Sequence, residues 1–401
     1  MKYAIIIPDG AADLPLDALG GRTPFEAADK PHTDQISLNG RQGTVATTPA
    51  GFPCGSDVCS MSLLGYDPAR YHTGRAPLEA AAMGISLGHA DWSFRVNLVT
   101  VIDGKMVDHS AGQISSDEGR QLIEAFTAAA DLGDLELHPG VSYRNIMVDR
   151  SGQHNWTRLT TTPPHDIPDQ SVRRYWPTGP NAEVLGHMIE RSGAIFESHE
   201  INQMRKSLGE LPATHLWPWG QGRRPNMDSF EQRFGLRGAM ITAVDLLAGL
   251  AALIGWDRLE VPGQTSYHDT DYAAAGQHAI EALALYDVVC VHVEAPDEAS
   301  HEADPETKVA AIEAIDKHIV GPLLKALAKR GPDYRALYLP DHYTTVDTRK
   351  HDPTPVPFAM CGQQITAVVQ QPFHEGNATA SDLHIDHGHE LMEYFLFSGL
   401  T

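Results

Sequence analysis

Short, unbroken apolar runs alternate along this chain with stretches in which apolar residues recur every three or four positions. The runs at residues 3–7, 286–293 and 336–339 have the pattern of strands that are buried on both faces of a sheet. Between two of them, the apolar side chains at 309, 312, 315, 319 and 323 have the spacing of one helix face. This alternation predicts an α/β fold in which helices flank a mostly parallel sheet.

An aspartate follows each of these predicted strands within a few residues: Asp9, Asp297 and Asp341. In parallel sheets of this kind, ligands bind beyond the carboxyl ends of the strands. We therefore expect the three carboxylates to lie close together at one site.

The pattern is weaker between residues 91 and 205, where the signals are shorter and turn sequences such as Thr-Thr-Pro-Pro at 161–164 interrupt them. We interpret residues 91–205 as a smaller α/β domain inserted into a discontinuous one formed by residues 1–90 and 206–401. The Trp-Pro-Trp-Gly-Gln-Gly stretch at 217–222 is then expected to cross back into the main sheet.

The charge balance narrows the range of partners. The 401 residues include 30 basic and 52 acidic side chains, which give a net charge of −22 at pH 7. Such a field repels nucleic acid and anionic lipid, so neither is expected as a partner. The longest apolar stretch, residues 238–256, contains Asp245, and we interpret it as a buried core helix rather than a membrane span.

The cysteines and the N-terminus bear on the location of the protein. The four cysteines include no Cys-x-x-Cys pair, so we expect free thiols in a reducing, cytoplasmic compartment. The apolar run at residues 4–7 is too short for the core of a signal peptide. The pattern leaves the oligomeric state open.

Six residues near the predicted strand ends are candidate metal ligands: Asp9, Asp297, His301, Asp341, His342 and His351. Asp297 and His301 are four residues apart and would share one helix face, although this spacing alone is also typical of solvated helices. Taken together, three carboxylates and three imidazoles suit two divalent ions such as Mn²⁺ or Zn²⁺.

Ser56 is the candidate nucleophile, in the sequence Gly55-Ser56-Asp57 that leads into an apolar, helix-like run. A serine at that position is commonly a helix cap, and the metal set is what favours a phosphoryl-accepting role instead. The chain contains no GxxxxGK[ST], GxGxxG after the first strand, GxSxG or HExxH motif. The common nucleotide-kinase, Rossmann, serine hydrolase and zincin interpretations therefore lose support.

These motifs resemble those of the archaeal type of cofactor-independent (2,3-bisphosphoglycerate-independent) phosphoglycerate mutase, a family of the alkaline phosphatase superfamily. The resemblance covers nearly the whole chain. It is carried by residues 8–13 (PDGAAD), 55–57 (GSD), 63–68 (LLGYDP), 73–80 (TGRAPLEA), 217–222 (WPWGQG), 241–246 (ITAVDL) and 297–301 (DEASH), then by Asp341-His342 and His351.

The resemblance implies an alkaline-phosphatase-like sheet and a reaction that interconverts 3- and 2-phosphoglycerate, in glycolysis and gluconeogenesis, through a phosphoserine at Ser56. It implies two divalent ions, Mn²⁺ in the first place, with Mg²⁺, Co²⁺ or Zn²⁺ as alternatives. One ion would be held by Asp9, Ser56, Asp341 and His342, and the other by Asp297, His301 and His351. The small phosphorylated substrate would contact the inserted domain at Arg95, His109, Arg144 and Asp166.

The sequence departs from the family pattern at one position. The family usually has a lysine three residues after the tyrosine of an Asp-Thr-x-Tyr motif, and here Tyr272 is followed by Ala275. If that lysine contacts the phosphoryl group, its absence lowers the stabilisation of negative charge in the transition state or means that the enzyme acts on a different substrate. A homoserine kinase-like phosphotransferase, a metal-dependent phosphomonoesterase and a non-catalytic metal-binding protein therefore stay as alternatives.

Overall fold

The computed structural model describes residues 1–399. The strands are β1 (Lys2–Pro8), β2 (Arg41–Val45), β3 (Trp92–Ile102), β4 (Lys105–Asp108), β5 (Leu135–Pro139), β6 (Arg144–Asp149), β7 (His215–Arg223), β8 (Gly238–Ile241), β9 (Asp257–Arg258), β10 (Val288–Val293), β11 (Tyr334–Tyr338), β12 (Tyr343–Thr345), β13 (Lys350–Asp352), β14 (Val356–Gly362) and β15 (His384–Ile385). The α-helices are α1 (Pro24–Ala27), α2 (Pro31–Leu38), α3 (Ser56–Leu63), α4 (Pro68–Tyr71), α5 (Ala76–Ala82), α6 (Ser116–Ala129), α7 (Ala182–Glu197), α8 (Glu200–Ser207), α9 (Phe230–Phe234), α10 (Asp245–Leu253), α11 (Tyr272–Ala282), α12 (Ala295–His301), α13 (Pro305–Ile315), α14 (Gly321–Arg330), α15 (Glu375–Thr379) and α16 (Leu391–Phe397).

The chain divides into two compact units, Met1–His72 with Asn226–Thr401, and Thr73–Pro225. The first unit is built on an eight-stranded sheet in the order β15-β2-β14-β11-β1-β10-β8-β9. Its centre is parallel, because β1 pairs in parallel with both β10 and β11, and β10 with β8. Strand β14 is antiparallel to both of its neighbours, β11 and β2. The predicted α/β class with a mostly parallel sheet flanked by helices is confirmed.

The three apolar runs are the central strands of this sheet. In β1 every residue after Lys2 is buried, and β10 is buried throughout. Strands buried on both faces carry apolar side chains at nearly every position, which explains why they appear as apolar runs in the sequence. Because β1, β10 and β11 are parallel neighbours, the segments that follow them leave the sheet at the same edge, where the candidate aspartates lie.

The second unit contains a five-stranded sheet in the order β4-β3-β6-β5, with β7 also paired to β3. Strand β7 runs antiparallel to β3 over most of its length, for example Asn97 opposite Trp217. The expectation that residues 217–222 cross back into the main sheet is therefore wrong. Their buried tryptophans belong to the core of this smaller sheet.

The units divide the chain at positions 72/73 and 225/226, outside the expected boundaries of 90/91 and 205/206. Helix α5 lies in the second unit because it packs on β3, and β7 lies there because it pairs with the same strand. Strand β7 lies more than 100 residues from β3 along the chain, and α5 is a short helix whose packing on β3 has no signature in its sequence. The sequence pattern therefore carries no signal for this assignment.

Residues 238–256 form two elements instead of the single helix that their composition predicts: β8, then α10 after a short turn. Both are buried, so the expectation of a core segment is confirmed and that of one continuous helix is wrong. Within residues 1–399, no helix combines the length and the apolar character that crossing a membrane requires. All four cysteines are free thiols.

A buried ion pair joins two loops of the first unit. The Lys308 ammonium donates to Asp13 Oδ2 at 2.9 Å, to the Thr344 carbonyl at 2.7 Å and to the Ala12 carbonyl at 3.3 Å. Both charged side chains are 0 % exposed. The segment after β1 and the segment after β11 are therefore held together by one cation.

We expect Lys308→Met to lower the free energy of unfolding by about 3–5 kcal/mol, because it leaves Asp13 as a buried, unpaired charge. Urea denaturation of the metal-free protein measures this change. The matched control is Lys329→Met in α14, where the lysine is exposed and the cost should stay within about 0.5 kcal/mol. A loss below about 1 kcal/mol for Lys308→Met would show that the pair does not hold the two loops.

Candidate metal and phosphoryl-transfer site

Ser56 is the first residue of helix α3, and the preceding Gly55 is extended, with φ −174°. Its hydroxyl lies 3.3 Å from Asp9 Oδ2 and 3.2 Å from His342 Nε2. A carboxylate and an imidazole nitrogen thus contact one hydroxyl at the N-terminus of a helix, where phosphoryl oxygens are also favoured. The structure brings together the nucleophile and two candidate ligands that the sequence places far apart.

Asp341 completes this first set of candidate ligands. Its Oδ1 accepts hydrogen bonds from the backbone N–H groups of Gly10, at 3.2 Å, and His342, at 3.0 Å. Its Oδ2 and the Oδ1 of Asp9 are buried and have no hydrogen-bond partner within residues 1–399. Unpartnered carboxylate oxygens at 0 % exposure are costly, and a cation between them removes that cost.

Gly10 allows this close approach of the loops. Its φ is +59°, and a Cβ on its backbone would lie 2.4 Å from Asp297 Oδ1 and 2.5 Å from Thr344 Oγ1. Glycine adopts this left-handed conformation without strain, and its missing side chain leaves the room that the two neighbouring side chains occupy.

Asp297, His301 and His351 form the second set of candidate ligands, as the four-residue spacing predicts for the first two. The Nε2 atoms of His301 and His351 lie 3.1 and 3.5 Å from the two oxygens of Asp297, and 3.1 Å from each other. One ligand atom from each of the three lies within 4.8 Å of the other two, a group that could hold a metal ion. A second such group, Asp9, Asp297 and His342, connects the two sets.

The outer nitrogens of both histidines in the second set bond to the backbone. His301 Nδ1 lies 3.0 Å from the Arg349 carbonyl, and His351 Nδ1 lies 3.2 Å from the Cys54 carbonyl. A carbonyl only accepts, so each Nδ1 carries a proton and each Nε2 faces inward as a potential ligand.

The electrostatics of the two sets differ. Burial, with the charges of Asp341 and Asp297, raises the pKa of Asp9 well above its usual range. Burial also opposes ionisation of Asp297, but hydrogen bonds with His301 and His351 outweigh it and hold the pKa of that carboxyl well below its usual range. Burial lowers the pKa of His351, whereas its bond to Asp297 more than compensates and raises the pKa to about 9.

His292 and Glu294 are neighbours of the site that sequence reasoning did not select. His292 Nε2 lies 2.8 Å from Asp9 Oδ2, and its Nδ1 lies 3.1 Å from the hydroxyl of Thr242. Asp9, His292 and Glu294 form a further group with metal-binding geometry. The sequence contained a signal for His292, because a histidine near the end of an otherwise apolar, fully buried strand such as β10 requires a polar partner.

Arg95 is the centre of the candidate substrate contacts in the second unit. Its Nε donates to Glu79 Oε2 at 2.9 Å, and its guanidinium lies 4.0 Å from the ring centroid of Trp219. The indole of Trp219 in turn donates to Asn97 Oδ1 at 2.9 Å. The guanidinium is thus held on one edge and one face.

The other three predicted contacts differ in their surroundings. The ring of His109 lies 5.8 Å from Tyr143 and 6.0 Å from His165, which in turn lies 5.2 Å from Trp219. Arg144 is exposed and lies over the ring of Tyr143 at 5.2 Å. Asp166 is also exposed, and its carboxylate lies 3.8 Å from His165 Nε2. Arg95 and His109 therefore lie in one aromatic cluster, and Asp166 lies at its edge.

Ala275 is buried in α11, at 2 % exposure. The adjacent Gly276 packs so closely on the backbone of residue 318 that a Cβ would lie 2.1 Å from the His318 carbonyl oxygen. This face of the helix therefore packs tightly in the protein interior, and the position contributes no cation.

A family model and a full-length relative both match this chain and have the same name. The family model for 2,3-bisphosphoglycerate-independent phosphoglycerate mutase matches residues 38–202. A protein of that name from Methanothrix thermoacetophila is 44% identical over 396 residues, covering 99% of this chain and 100% of the relative.

Two solved structures resemble the chain over nearly its whole length. A Pyrococcus horikoshii protein has a TM-score of 0.84 at 26% identity, with 98% of this chain and 96% of that chain covered. The cofactor-independent phosphoglycerate mutase of Thermoplasma acidophilum has a TM-score of 0.69 at 26% identity, with 99% of both chains covered.

Proposed function

The chain belongs to the family of 2,3-bisphosphoglycerate-independent phosphoglycerate mutases, and on this premise we propose that it interconverts 3- and 2-phosphoglycerate through a phosphoserine at Ser56. The position of the Ser56 hydroxyl carries the proposal, because it contacts Asp9 and His342 beside two buried carboxylate oxygens that have no partner within residues 1–399. A serine that served only as a helix cap would not need these neighbours.

The two sets fit divalent metal ions. Asp9, Ser56, Asp341 and His342 would hold one ion, and Asp297, His301 and His351 the other, with Mn²⁺ as the first candidate because both oxygen and imidazole ligands suit it. When bound, such ions supply positive charge that favours the ionised form of a hydroxyl and neutralises phosphoryl oxygens. The inward-facing Nε2 atoms of His301 and His351 are what this chain contributes to the second ion.

The reaction balances without a second substrate. Ser56 Oγ forms a bond to phosphorus as the bond from phosphorus to the 3-oxygen of the substrate breaks, and the serine proton ends on the 3-hydroxyl of glycerate. The 2-hydroxyl of glycerate then attacks the phosphoserine, and its proton returns to Ser56. No nucleotide and no bisphosphorylated cofactor is consumed.

The second unit contains a group of basic side chains in a chain of net charge −22, and an anionic substrate needs such local positive charge. The pKa of Arg95 is lowered by its burial and by the nearby charges of Arg75 and Arg144. Burial, with the charges of Arg95 and His109, also lowers the pKa of His165. We assign substrate binding to Arg95, His109 and Arg144, with Asp166 at the edge of the cluster. Metal binding is assigned to the unit that contains Ser56.

The alternatives are less favoured. Relatives that match the full chain are named as mutases, which supports neither a homoserine kinase-like enzyme nor a phosphomonoesterase. The substitution at Ala275 removes a cation that the family usually has, and the arginines of the second unit are the residues that could provide it to the substrate. A cytoplasmic location stays a prediction from the cysteine pattern.

Purified protein with Mn²⁺ is expected to convert 3-phosphoglycerate into 2-phosphoglycerate with neither ATP nor bisphosphoglycerate present. Phosphorus NMR distinguishes the two esters from free phosphate in one measurement. Free phosphate as the main product would identify a hydrolase. Phosphorylation of homoserine by ATP, with no isomerisation, would identify a kinase and overturn the proposal.

A further inference from the structure

Thr344 is a buried residue of β12 whose hydroxyl contacts one member of each candidate metal set. The hydroxyl donates a hydrogen bond to Asp297 Oδ1 and lies 3.1 Å from Nδ1 of His342. Its side chain is 0 % exposed. Among the side chains of residues 1–399 that are not candidate ligands, Thr344 alone has hydrogen bonds to members of both sets.

The direction of the two hydrogen bonds follows from counting protons. A hydroxyl has one proton, and the Asp297 carboxylate can only accept it. The oxygen of Thr344 must then accept from His342, so in the neutral ring the proton is on Nδ1. This leaves Nε2 unprotonated, and Nε2 is the atom that lies 3.2 Å from Ser56 Oγ and 3.4 Å from carboxylate oxygens of Asp9 and Asp341.

His342 differs in this respect from the histidines of the second set. His301 and His351 have their Nδ1 atoms on backbone carbonyls, which accept whatever the state of their surroundings. A hydroxyl can donate or accept, so its direction at His342 is decided by Asp297. The imidazole of one set is therefore oriented through a residue of the other.

The backbone of Thr344 is anchored on both sides. Its N–H donates to the Ala12 carbonyl at 3.3 Å, and its carbonyl accepts from the Lys308 ammonium at 2.7 Å. It lies opposite His351 in the β12–β13 pair. The hydroxyl is thus held against Asp297 and His342 by the framework and not only by its own hydrogen bonds.

We propose that Thr344 is a positioning residue that fixes the tautomer of His342 and links the two metal sets, so that cation binding depends on its hydroxyl. This inference rests on the metal sites of the proposed function but not on the reaction. It concerns the affinity of the protein for a divalent ion, which is measured without substrate.

The test is Mn²⁺ binding by calorimetry with the metal-depleted protein. Thr344→Val has nearly the same shape without the hydroxyl, and we expect its Mn²⁺ affinity to fall about 10–100-fold. Thr344→Ser keeps the hydroxyl and should stay within about threefold of the wild type. The matched control is Thr345→Val. Thr345 is a buried neighbour whose hydroxyl bonds to that of Thr348, and the Mn²⁺ affinity of this variant should equal that of the wild type.

A second measurement does not depend on whether the valine variant folds. In metal-free wild-type protein with ¹⁵N-labelled histidine, His342 should carry its proton on Nδ1, and a proton on Nε2 would overturn the proposal. Wild-type Mn²⁺ affinity in a folded Thr344→Val protein would also overturn it, as would a wild-type protein that binds no Mn²⁺. Mutase activity is assayed separately, so a protein that binds Mn²⁺ with the expected dependence on Thr344 but does not isomerise phosphoglycerate contradicts only the proposed function.

Discussion

Ser56→Ala is expected to lose mutase turnover by roughly 10⁴–10⁶-fold while keeping the fold, because the covalent intermediate needs the serine oxygen. The loss should be in kcat, since the second unit, which we assign to substrate binding, is untouched. Wild-type protein quenched during turnover should contain phosphate on Ser56, detected by mass spectrometry of the peptide. The variant should contain none.

Ser60→Ala is the matched control for this substitution. Ser60 lies one turn further along α3, is fully buried, and its hydroxyl has no hydrogen-bond partner within residues 1–399. Removing it should leave both turnover and stability close to the wild type. Turnover of Ser56→Ala within tenfold of the wild type would exclude Ser56 as the phosphoryl acceptor.

Removal of divalent ions by a chelator is expected to lower activity by at least about 10³-fold, and added Mn²⁺ should restore it, because the ionised Ser56 oxygen and the phosphoryl group both need nearby positive charge. Metal analysis of the dialysed protein, before and after reconstitution, accompanies the assay. Restoration should proceed to two ions per chain, one for each set of ligands.

The affinity for Mn²⁺ should depend on pH in a definite direction. In the metal-free protein the pKa of His351 is raised from its ordinary value of 6.5 to about 9, so a cation must displace a proton below that pH. Affinity should therefore rise by at least about tenfold per pH unit below roughly pH 9, with at least one proton released on binding. The stability that protonated His351 gives the metal-free protein is present below pH 6.5 and is lost as the pH rises through about 9. The melting temperature of the metal-free protein should fall over that window.

A histidine pair provides the control for the metal experiments. His301→Asn removes an inward-facing ligand and should abolish binding to the second set. His278→Asn alters a half-buried histidine of α11 whose Nδ1 bonds to a backbone carbonyl, and it should bind Mn²⁺ as the wild type does. Full activity in protein shown to be free of metal would refute the metal-dependent mechanism.

Much of the site could be predicted because its parts have local signatures. Asp9 and Asp341 each follow a central strand, and parallel strands necessarily bring their carboxyl ends to one edge. Asp297 and His301 are adjacent on one helix turn, which their spacing predicts. These relations depend only on the geometry of single elements and on the polarity of the sheet.

Other features had no local signature. The tryptophans at 217 and 219 form part of the second sheet because β7 pairs with β3, a partner more than 100 residues away. The place of β7 in this sheet is decided by its pairing more than by its composition. The boundary at 225/226 follows from the same pairing, and the boundary at 72/73 follows from the packing of α5 on β3.

The sequence by itself determined the α/β class, the central apolar strands, the family and the identity of the candidate ligands, because these depend on period, strand polarity and ordered motifs. Only the tertiary structure decided which side chains complete the site. Thr344 resembles an ordinary core residue in the sequence, and it acquires its significance from its hydrogen bond to Asp297. The apolar neighbours of His292 indicate that it needs a polar partner, but only the structure identifies that partner as Asp9. Such bonds join segments more than 40 residues apart, and their direction depends on how the loops pack, which no local pattern records.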